Sequence, residues 1–255
     1  MIPAPLDFIR TMPERALTTN SSPRESELPD VIREAFPHSR ADTRRALAMS
    51  AGIRILEPGQ IITRQGDTSA LALVLAGHVA VRRTTVDGRQ FTVRIVTRGR
   101  LSPVLPLAER PASADAVALS PAAAAIWRGE QMRSLATLDA GFAVDVLDDV
   151  LDSLDEVMGR LDSLVYQDAR RRVARVLNSH ADLFFAEPPV LTRTHLPSLV
   201  GTSREMTGRV LRLLESHGLV ARVGRDRLRV LDRAGLAAVA ESSVERPQPS
   251  RGTSS

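Results

Sequence analysis

The sequence predicts an α+β protein with three parts: an N-terminal antiparallel β-roll, a long helix and a C-terminal winged helix-turn-helix. Turn residues punctuate short apolar runs between residues 52 and 100, which is the pattern of an antiparallel barrel or roll. Apolar residues then recur at helical spacing from 142 to 165. Two short helical segments around a glycine follow, with two alternating runs over 219–231 behind them.

These patterns divide the chain into five segments. Residues 1–26 and 242–255 are rich in polar and turn-forming residues without periodicity, so we expect both to be flexible. Between them we expect a β-roll over 27–138, a long helix over 139–166 and a winged helix-turn-helix over 167–241.

The composition indicates a soluble protein of one or two domains. The 255 residues are 43% hydrophobic, which is enough for packed cores. No apolar run approaches the ~20 residues that cross a bilayer, and the N-terminus lacks a signal-peptide pattern. We therefore expect a cytoplasmic protein without a membrane partner. Cysteine is absent, which excludes disulfides, thiolate-bound zinc and cysteine-ligated iron–sulfur clusters.

Charge is distributed unevenly along the chain. The net charge is only +4, and all 34 basic residues are arginine. Exclusive use of arginine is also what a GC-rich genome produces, so the choice itself carries little functional weight. The long-helix segment is acidic, whereas residues 170–175 and 193–233 are basic. The basic C-terminal part is therefore the end expected to meet nucleic acid.

The expected roll begins with a short helix, from about residue 40 to Met49. Strands then follow between turns at Pro58-Gly59, Gly66-Asp67, Gly77, Asp87-Gly88 and Gly99.

The long helix carries a heptad pattern. A helix packed on its own roll and a seam between two copies both explain such a stripe. Acidic flanks and a length of about three heptads favour the two-helix seam, while the width of the stripe indicates packing on the roll as well. The predicted dimer interface consists of Leu147, Val150, Leu151, Leu154, Val157, Met158, Leu161, Leu164 and Val165.

The segment 191–211 predicts the helix-turn-helix. Its second helix is expected to begin at Ser203, a capping residue, and to stop at Gly218. The expected inward face consists of Met206, Val210, Leu213 and Leu214. The opposite face consists of Arg204, Glu205, Gly208, Arg209 and Arg212.

That outer face has the chemistry of a base reader. Arginine donates two parallel hydrogen bonds to guanine, glutamate accepts from cytosine, and a glycine between them permits close approach to the groove. A solvated charged face explains the spacing alone equally well. The β-hairpin expected over 219–231 favours DNA binding, because a wing adds phosphate contacts. The predicted supporting residues are Thr192, Arg193, Ser203, Thr207, Gly208, Arg212, Arg225 and Arg227.

Several short strings resemble the DNA-binding module of the Crp/Fnr transcription regulators. They are Thr192-Arg193, Val200-Gly201, Ser203-Arg204-Glu205, Gly208-Arg209-Val210-Leu211 and Leu214-Glu215. The resemblance implies that Arg204, Glu205 and Arg209 read bases, with a preference for TGTGA-type half-sites.

Pro197 departs from the family pattern, because it falls inside the first helix and proline fits only a first helical turn. We therefore expect Thr194, rather than Thr192, to cap that helix.

The roll segment also resembles the cyclic-nucleotide-binding β-roll of the same family, and the resemblance spans about residues 28–236. The strings that carry it are Glu57-Pro58-Gly59-Gln60-Ile61-Ile62, Gln65-Gly66-Asp67 and Leu75-Ala76-Gly77-His78-Val79.

The resemblance implies a phosphate cassette after Gly99, with a glutamate for the ribose and an arginine for the phosphate. Here Val104 stands at the glutamate position, and Ser113, Ala114 or Asp115 at the arginine position. A buried anion without a countercharge is costly. We therefore predict no cofactor and no cyclic AMP in the standard mode, unless Arg100 or Arg110 substitutes through a shifted loop. The effector-binding residues are unassigned: the roll takes a less charged effector or none.

The family resemblance further implies a homodimer whose two recognition helices reach successive major grooves of an inverted repeat, with a hinge at 166–169. The loop 182–190 occupies the place where family activators touch RNA polymerase, a further implied partner. Phe184 and Phe185 in that loop are equally typical of core, and core is the favoured interpretation. Activator and repressor roles both stay open.

Metal and enzyme functions are not indicated. His78 is the only histidine expected in the roll, and a half-exposed strand histidine explains it better than a haem ligand, so no metal site is predicted. No nucleophile or acid–base pair has suitable local spacing, so we expect no enzyme. The alternative to a DNA-binding regulator is a sensory or scaffold protein whose roll binds a non-nucleotide ligand or partner and whose winged domain is an interaction surface.

Overall fold

The computed structural model describes residues 27–67, 70–102 and 108–242. The segments predicted to be flexible, 1–26 and 242–255, lie outside this range except for Ser242, and so does Val104. No helix within it has the length and apolar character needed to cross a bilayer.

The N-terminal part of the described chain is an antiparallel roll, as predicted, and two helices precede it where the sequence predicts one. Its two sheets have the strand orders β1-β7-β3 and β2-β6-β4-β5. The helices are α1 (Leu28–Ala35) and α2 (Ala41–Ser50). The strands are β1 (Gly52–Leu56), β2 (Ile61–Thr63), β3 (Ala70–Ala76), β4 (Val79–Thr84), β5 (Gln90–Val96), β6 (Asp115–Ala118) and β7 (Ala122–Arg128).

Strand β7 lies in the centre of the first sheet and is packed on both faces. Its alanines alternate between two cores: Ala123 and Ala125 belong to a cluster with α1, α2 and α4, whereas Ala124 faces the interior between the sheets. Alternation of this kind follows from the period of two along a strand. The small side chains leave room for the large residues of neighbouring elements on both sides.

The two helices after the roll are α3 (Gly129–Leu138) and α4 (Ala140–Tyr166). The first turns of α4 are anchored in the roll core, where Phe142 packs on Phe36 with ring centroids 5.1 Å apart. Asp145 accepts hydrogen bonds from the amides of His38 (3.0 Å) and Ser39 (2.9 Å). The start of α4 is therefore fixed to the loop between α1 and α2, while its later turns extend beyond this anchor.

The C-terminal part has its own hydrophobic core. Phe184 is fully buried in that core and Phe185 packs against it, as predicted for these two side chains. Its elements are α5 (Ala169–Ser179), α6 (Ala181–Phe184), α7 (Leu196–Val200), α8 (Arg204–Ser216), β8 (Val220–Val223), β9 (Arg227–Val230) and α9 (Arg233–Glu241). Strands β8 and β9 pair antiparallel as a two-stranded hairpin, the predicted wing.

Asp139 caps α4 and gives the fold a pH dependence. Its carboxylate accepts from the Thr43 hydroxyl (2.5 Å) and from the amides of Arg40 (2.8 Å) and Gly141 (3.0 Å). These hydrogen bonds, that of Thr43 first, lower the pKa of Asp139 to about 2 although burial opposes the shift. Because the folded-state pKa lies below the unfolded value, the stabilisation is complete at neutral pH and is lost as pH falls towards 2.

We predict that Asp139→Asn lowers the free energy of unfolding at pH 7, and that its difference from the unmodified protein shrinks as pH falls from about 4 towards 2. Urea denaturation at a series of pH values measures this. Asp148→Asn is the control, because Asp148 is an exposed residue of the same helix. A penalty for Asp139→Asn that stays constant down to pH 2 would contradict the assigned role of the carboxylate.

Candidate nucleic-acid interface

Helix α8 begins and ends where the sequence predicts. The Ser203 hydroxyl accepts a hydrogen bond from the amide of Met206 at 3.1 Å and so caps the first turn. Gly218 follows the helix with φ +68°, a left-handed conformation that glycine adopts without strain.

The buried face of α8 differs from the prediction at two of its four positions. Val210 and Leu214 are buried as expected, but Met206 and Leu213 are 36% and 39% exposed. Thr207 and Leu211 complete the buried stripe instead. Residues at i, i+3, i+4 and i+7 share one face, and that stripe starts at position 207.

Thr207 is therefore wrongly assigned as a DNA-supporting residue. Its side chain is buried at 2% exposure, and its hydroxyl donates to the Ser203 carbonyl at 2.9 Å. Thr207 supports the first turn of α8 from inside the domain.

The outer face of α8 is open to solvent. Arg204, Glu205, Arg209 and Arg212 are exposed, and Gly208 lies half-buried between them. An ion pair of 3.0 Å joins Arg209 to Glu205, one turn apart on the helix. Such an exposed pair is worth only about 0.3–0.5 kcal/mol, so both side chains can exchange it for other contacts at little cost.

The wing is fixed to the helix-turn-helix by arginine contacts. Arg193 donates from its amide to the Asp226 carbonyl (2.9 Å) and from Nε to the Arg225 carbonyl (2.7 Å). Arg222 in β8 pairs with Glu215 at the end of α8 at 2.7 Å. Arg225 and Arg227 are exposed, and Arg227 pairs with Glu187 at 3.2 Å.

The N-terminal cap of helix α7 differs from the prediction. It begins at Leu196, so Pro197 lies in the first turn, where its missing N–H breaks no hydrogen bond. His195 is the N-cap residue and makes no side-chain cap bond. Neither Thr194 nor Thr192 caps the helix; the two hydroxyls lie 2.7 Å apart, and the amide of Thr192 donates to His195 Nδ1 at 3.0 Å.

The heptad stripe of α4 faces solvent in the single chain. Val150 is half-buried, and the other eight residues of the stripe are 36–62% exposed. The opposite side of the helix is buried at Phe142, Val146, Asp149 and Ser163. One face of α4 therefore packs on its own chain and leaves an apolar face uncovered.

Ion pairs connect the roll to α4 near the position that the family resemblance gives to a nucleotide. Arg100 lies 3.0 Å from Asp149 and 2.6 Å from Asp152. Arg94 donates to the Leu101 carbonyl at 2.7 Å and lies 3.8 Å from Glu156. Burial raises the pKa of Asp149, although the charges of Arg100 and then Arg94 oppose the shift.

In the family, an arginine that contacts the phosphate is expected at one of residues 113–115, and this chain has no arginine at any of them. Ala114 is buried, and Asp115 accepts a hydrogen bond from the amide of Gln65 at 2.7 Å. The cassette position Val104 lies outside the described residues.

His78 lies in the turn between β3 and β4 and not on a strand, because β4 begins at Val79. Its amide donates to the Ser120 hydroxyl at 3.1 Å, and burial lowers its pKa although Asp182 opposes the shift. Over the part of the chain that the structure describes, no three acidic or histidine side chains are grouped as metal ligands.

Two family models match the two parts of this architecture. One, described as a cyclic nucleotide-binding domain, matches residues 53–139, and the other, a Crp-like helix-turn-helix domain, matches residues 171–239. This combination defines a class of transcription regulators with a helix-turn-helix DNA-binding domain.

Similar proteins identify the family. The cyclic AMP receptor protein of Thermus thermophilus is 32% identical over 208 residues, which cover 80% of this chain and 95% of that protein. A solved Crp/Fnr-family regulator from Eubacterium rectale has a TM-score of 0.69 at 18% identity, covering 80% of this chain and 95% of that one. FixK2 from Bradyrhizobium japonicum has a TM-score of 0.63 at 16% identity, covering 76% and 98%. The chain belongs to the Crp/Fnr family of transcription regulators.

The glycine in the outer face of α8 gives a stability prediction. A Cβ at Gly208 would meet no atom closer than Arg212 Nη1 at 4.0 Å, and Gly208 lies inside the helix. We expect Gly208→Ala to raise the free energy of unfolding by about 0.5–1 kcal/mol, because alanine loses less backbone entropy. Thermal and urea unfolding measure the change.

Gly235→Ala is the matched control, because a Cβ there would overlap the carboxylate of Asp232 and approach Leu219 Cδ2 at 2.7 Å. It should destabilise the protein. A destabilised Gly208→Ala variant would show that glycine serves the fold at this position.

Proposed function

We propose that the protein binds an inverted-repeat DNA operator as a homodimer and reads base edges with Arg204, Glu205 and Arg209. The observation that carries this proposal is the outer face of α8, where these three side chains are exposed to solvent. The contact among them is the ion pair between Arg209 and Glu205. Half-buried Gly208 lies between them and lets the helix backbone approach the groove. The exposed wing residues Arg225 and Arg227 would add phosphate contacts without sequence information.

The uncovered face of α4 supports the homodimer. The stripe from Leu147 to Val165 is apolar, exposed and about 27 Å long at the helical rise of 1.5 Å per residue. A second copy of α4 would cover it in a coiled-coil seam. Pairing of this kind would place two copies of α8 to reach successive major grooves, roughly 34 Å apart.

Cyclic AMP in the standard mode is not part of the proposal. Residues 113–115 supply no arginine for the phosphate, and Arg110 is exposed. The charge of Arg100 is already neutralised by Asp149 and Asp152. An entering phosphate would therefore have to displace existing ion pairs, which opposes its binding. We propose that the ion pairs of Arg100 keep the roll in contact with α4 when no nucleotide is bound.

The proposal also includes a contact with RNA polymerase and a cellular location. The tip of the loop after α6, at Glu187-Pro188, is exposed beside the wing and would be the place to contact RNA polymerase. Binding to a DNA operator would require the protein to be in the cytoplasm.

Replacing the three base-reading residues together tests the DNA proposal. We expect R204A/E205A/R209A to weaken binding to a duplex with two inverted TGTGA-type half-sites by about 100-fold or more, since each base contact is worth ~1–3 kcal/mol. Fluorescence anisotropy at fixed salt, with scrambled duplex as competitor, measures the affinity.

The control for this experiment is D42A/R45A/R64A, which removes the same charges from exposed positions outside the winged domain. It should bind like the unmodified protein. If the base-reading variant keeps its affinity within twofold, α8 does not read bases.

The dimer proposal predicts that Leu161→Asp separates the copies, because it places a charge in the middle of an apolar seam. Sedimentation velocity should show a particle of twice 27.7 kDa for the unmodified protein and one chain for the variant. Leu138→Asp is the control, because Leu138 is 72% exposed and lies outside the stripe. A monomeric unmodified protein would refute the seam.

A further inference from the structure

The hairpin formed by β4 and β5 reaches from the roll to the helix-turn-helix. Its turn consists of residues 85–89, between the end of β4 and the start of β5. Strand β5 is the edge strand of its sheet, so one side of the hairpin is free to contact the DNA-binding domain. That side lies against α7 and against the glycine turn that follows α7.

The contacts of β5 follow α7 in one direction. The Thr92 hydroxyl lies 3.1 Å from that of Ser198 inside α7. One residue closer to the hairpin turn, the Phe91 ring lies 3.2 Å from the position that a Cβ of Gly201 would occupy. A step along β5 towards the hairpin turn is therefore a step along α7 towards α8. The tip of the hairpin, residues 85–90, continues beyond the glycine turn on the side where α8 begins.

Two arginines of this hairpin are exposed and have no ion pair. Arg83 in β4 is directly opposite Phe91 in the strand register. Side chains of directly opposed residues share a face of the sheet, with Cβ atoms about 5 Å apart, so Arg83 extends from the face that meets Gly201. Arg89 ends the turn, where its amide donates to the Thr85 hydroxyl at 3.2 Å. Among the described residues, no carboxylate lies within ion-pair distance of either guanidinium.

The tip of the hairpin has an excess of positive charge. Residues 82–90 contain three arginines and one carboxylate, that of Asp87. Burial lowers the pKa of Arg82, the half-buried member of the three, although the charge of Asp115 opposes the shift. The guanidinium groups of Arg83 and Arg89 are the ones available at the surface. Free guanidinium groups are strong donors for phosphate oxygens.

We propose that Arg83 and Arg89 contact the phosphate backbone of the DNA that α8 reads. In a helix-turn-helix, the N-terminal part of the second helix enters the major groove while the first helix crosses the backbone. The hairpin tip lies beside the turn between these two helices, so phosphates at the edge of the groove come within reach of its arginines. This inference rests on the proposed DNA binding and extends the DNA-contacting surface from the winged domain to the roll.

Contacts of this kind change the affinity for DNA and its dependence on salt, but not the sequence preference. A phosphate carries no sequence information, whereas its neutralisation releases counterions and adds about 0.9 to the slope of log Kd against log salt concentration. Two arginines in each of two copies make four contacts. Removal of all four should therefore lower the slope by up to about 3.6.

The test compares R83Q/R89Q with the unmodified full chain by fluorescence anisotropy at several salt concentrations. Each protein is titrated with a duplex that carries two inverted TGTGA-type half-sites and with a scrambled duplex. We expect R83Q/R89Q to bind both duplexes about tenfold or more weakly at low salt and to have the smaller slope. The ratio of the two affinities should stay within about twofold of that of the unmodified protein. R83K/R89K keeps the charges and should bind both duplexes normally.

The matched control is R45Q/R128Q, which removes the same charge from exposed positions in α2 and at the end of β7. Its salt slope should equal that of the unmodified protein. An equal slope for R83Q/R89Q would overturn the inference and leave a protein as the partner of the basic tip. A loss confined to the operator duplex would overturn it too, as would an equal loss in R83K/R89K.

Failure of the proposed function gives a different result. If the unmodified protein binds neither duplex, the proposed DNA binding and this inference fall together. If the unmodified protein prefers the operator duplex and only the hairpin variants behave like the control, the proposed function stands and the inference alone falls.

Discussion

The relative position of the two domains depends on the close contact around Arg160. Its guanidinium joins the backbone of β5 to that of α7 and covers the Phe91 ring. Next to it, the Thr92 and Ser198 hydroxyls lie 3.1 Å apart. A buried cation bonded to carbonyls on both sides fixes direction as well as distance, because a guanidinium has a rigid planar set of donors.

The glycine turn between α7 and α8 lies next to Phe91, the ring that Arg160 covers. Gly201 has φ +68°, which the turn requires, and a Cβ there would lie 3.0 Å from Leu164 and 3.2 Å from Phe91. One residue therefore makes the turn of the helix-turn-helix and lets that turn approach both α4 and the roll. The orientation of α8 relative to α4 follows from this approach.

Inside the roll, charge pairing provides a second constraint. Arginines from β5 and the segment after it meet the acidic side of α4, which the sequence shows as a run of aspartates without indicating partners. Of the three carboxylates only that of Asp149 is buried, so removal of Arg100 would leave a buried charge without its ion-pair partner. The start of α4 is anchored by Asp139 and Asp145, so the ion pairs connect the roll to the later part of a helix that is already fixed at one end.

Local chemistry was sufficient to predict some features and not others. The ends of α8 were predictable, because a capping serine and a left-handed glycine act on neighbouring residues. Two of the four positions predicted for the buried face were wrong, because neighbouring residues such as Met206 and Thr207 both suit a helix and only the packing of α8 in its domain chooses between them. Likewise, the predicted cap of α7 was wrong because the turn continues through His195, so the helix begins at Leu196 and Pro197 is its second residue.

The sequence by itself determined the order of the elements, the winged helix-turn-helix, the apolar stripe of α4 and the residues on the outer face of α8. Periodicity, capping and turn residues report such features because they act within a few positions of the chain. Only the tertiary structure decided that Thr207 is buried, that Arg100 meets Asp149 and Asp152, and that Arg160 connects β5 to α7. These outcomes depend on contacts between residues far apart in sequence, and their energies come from burial and charge pairing that no local pattern encodes.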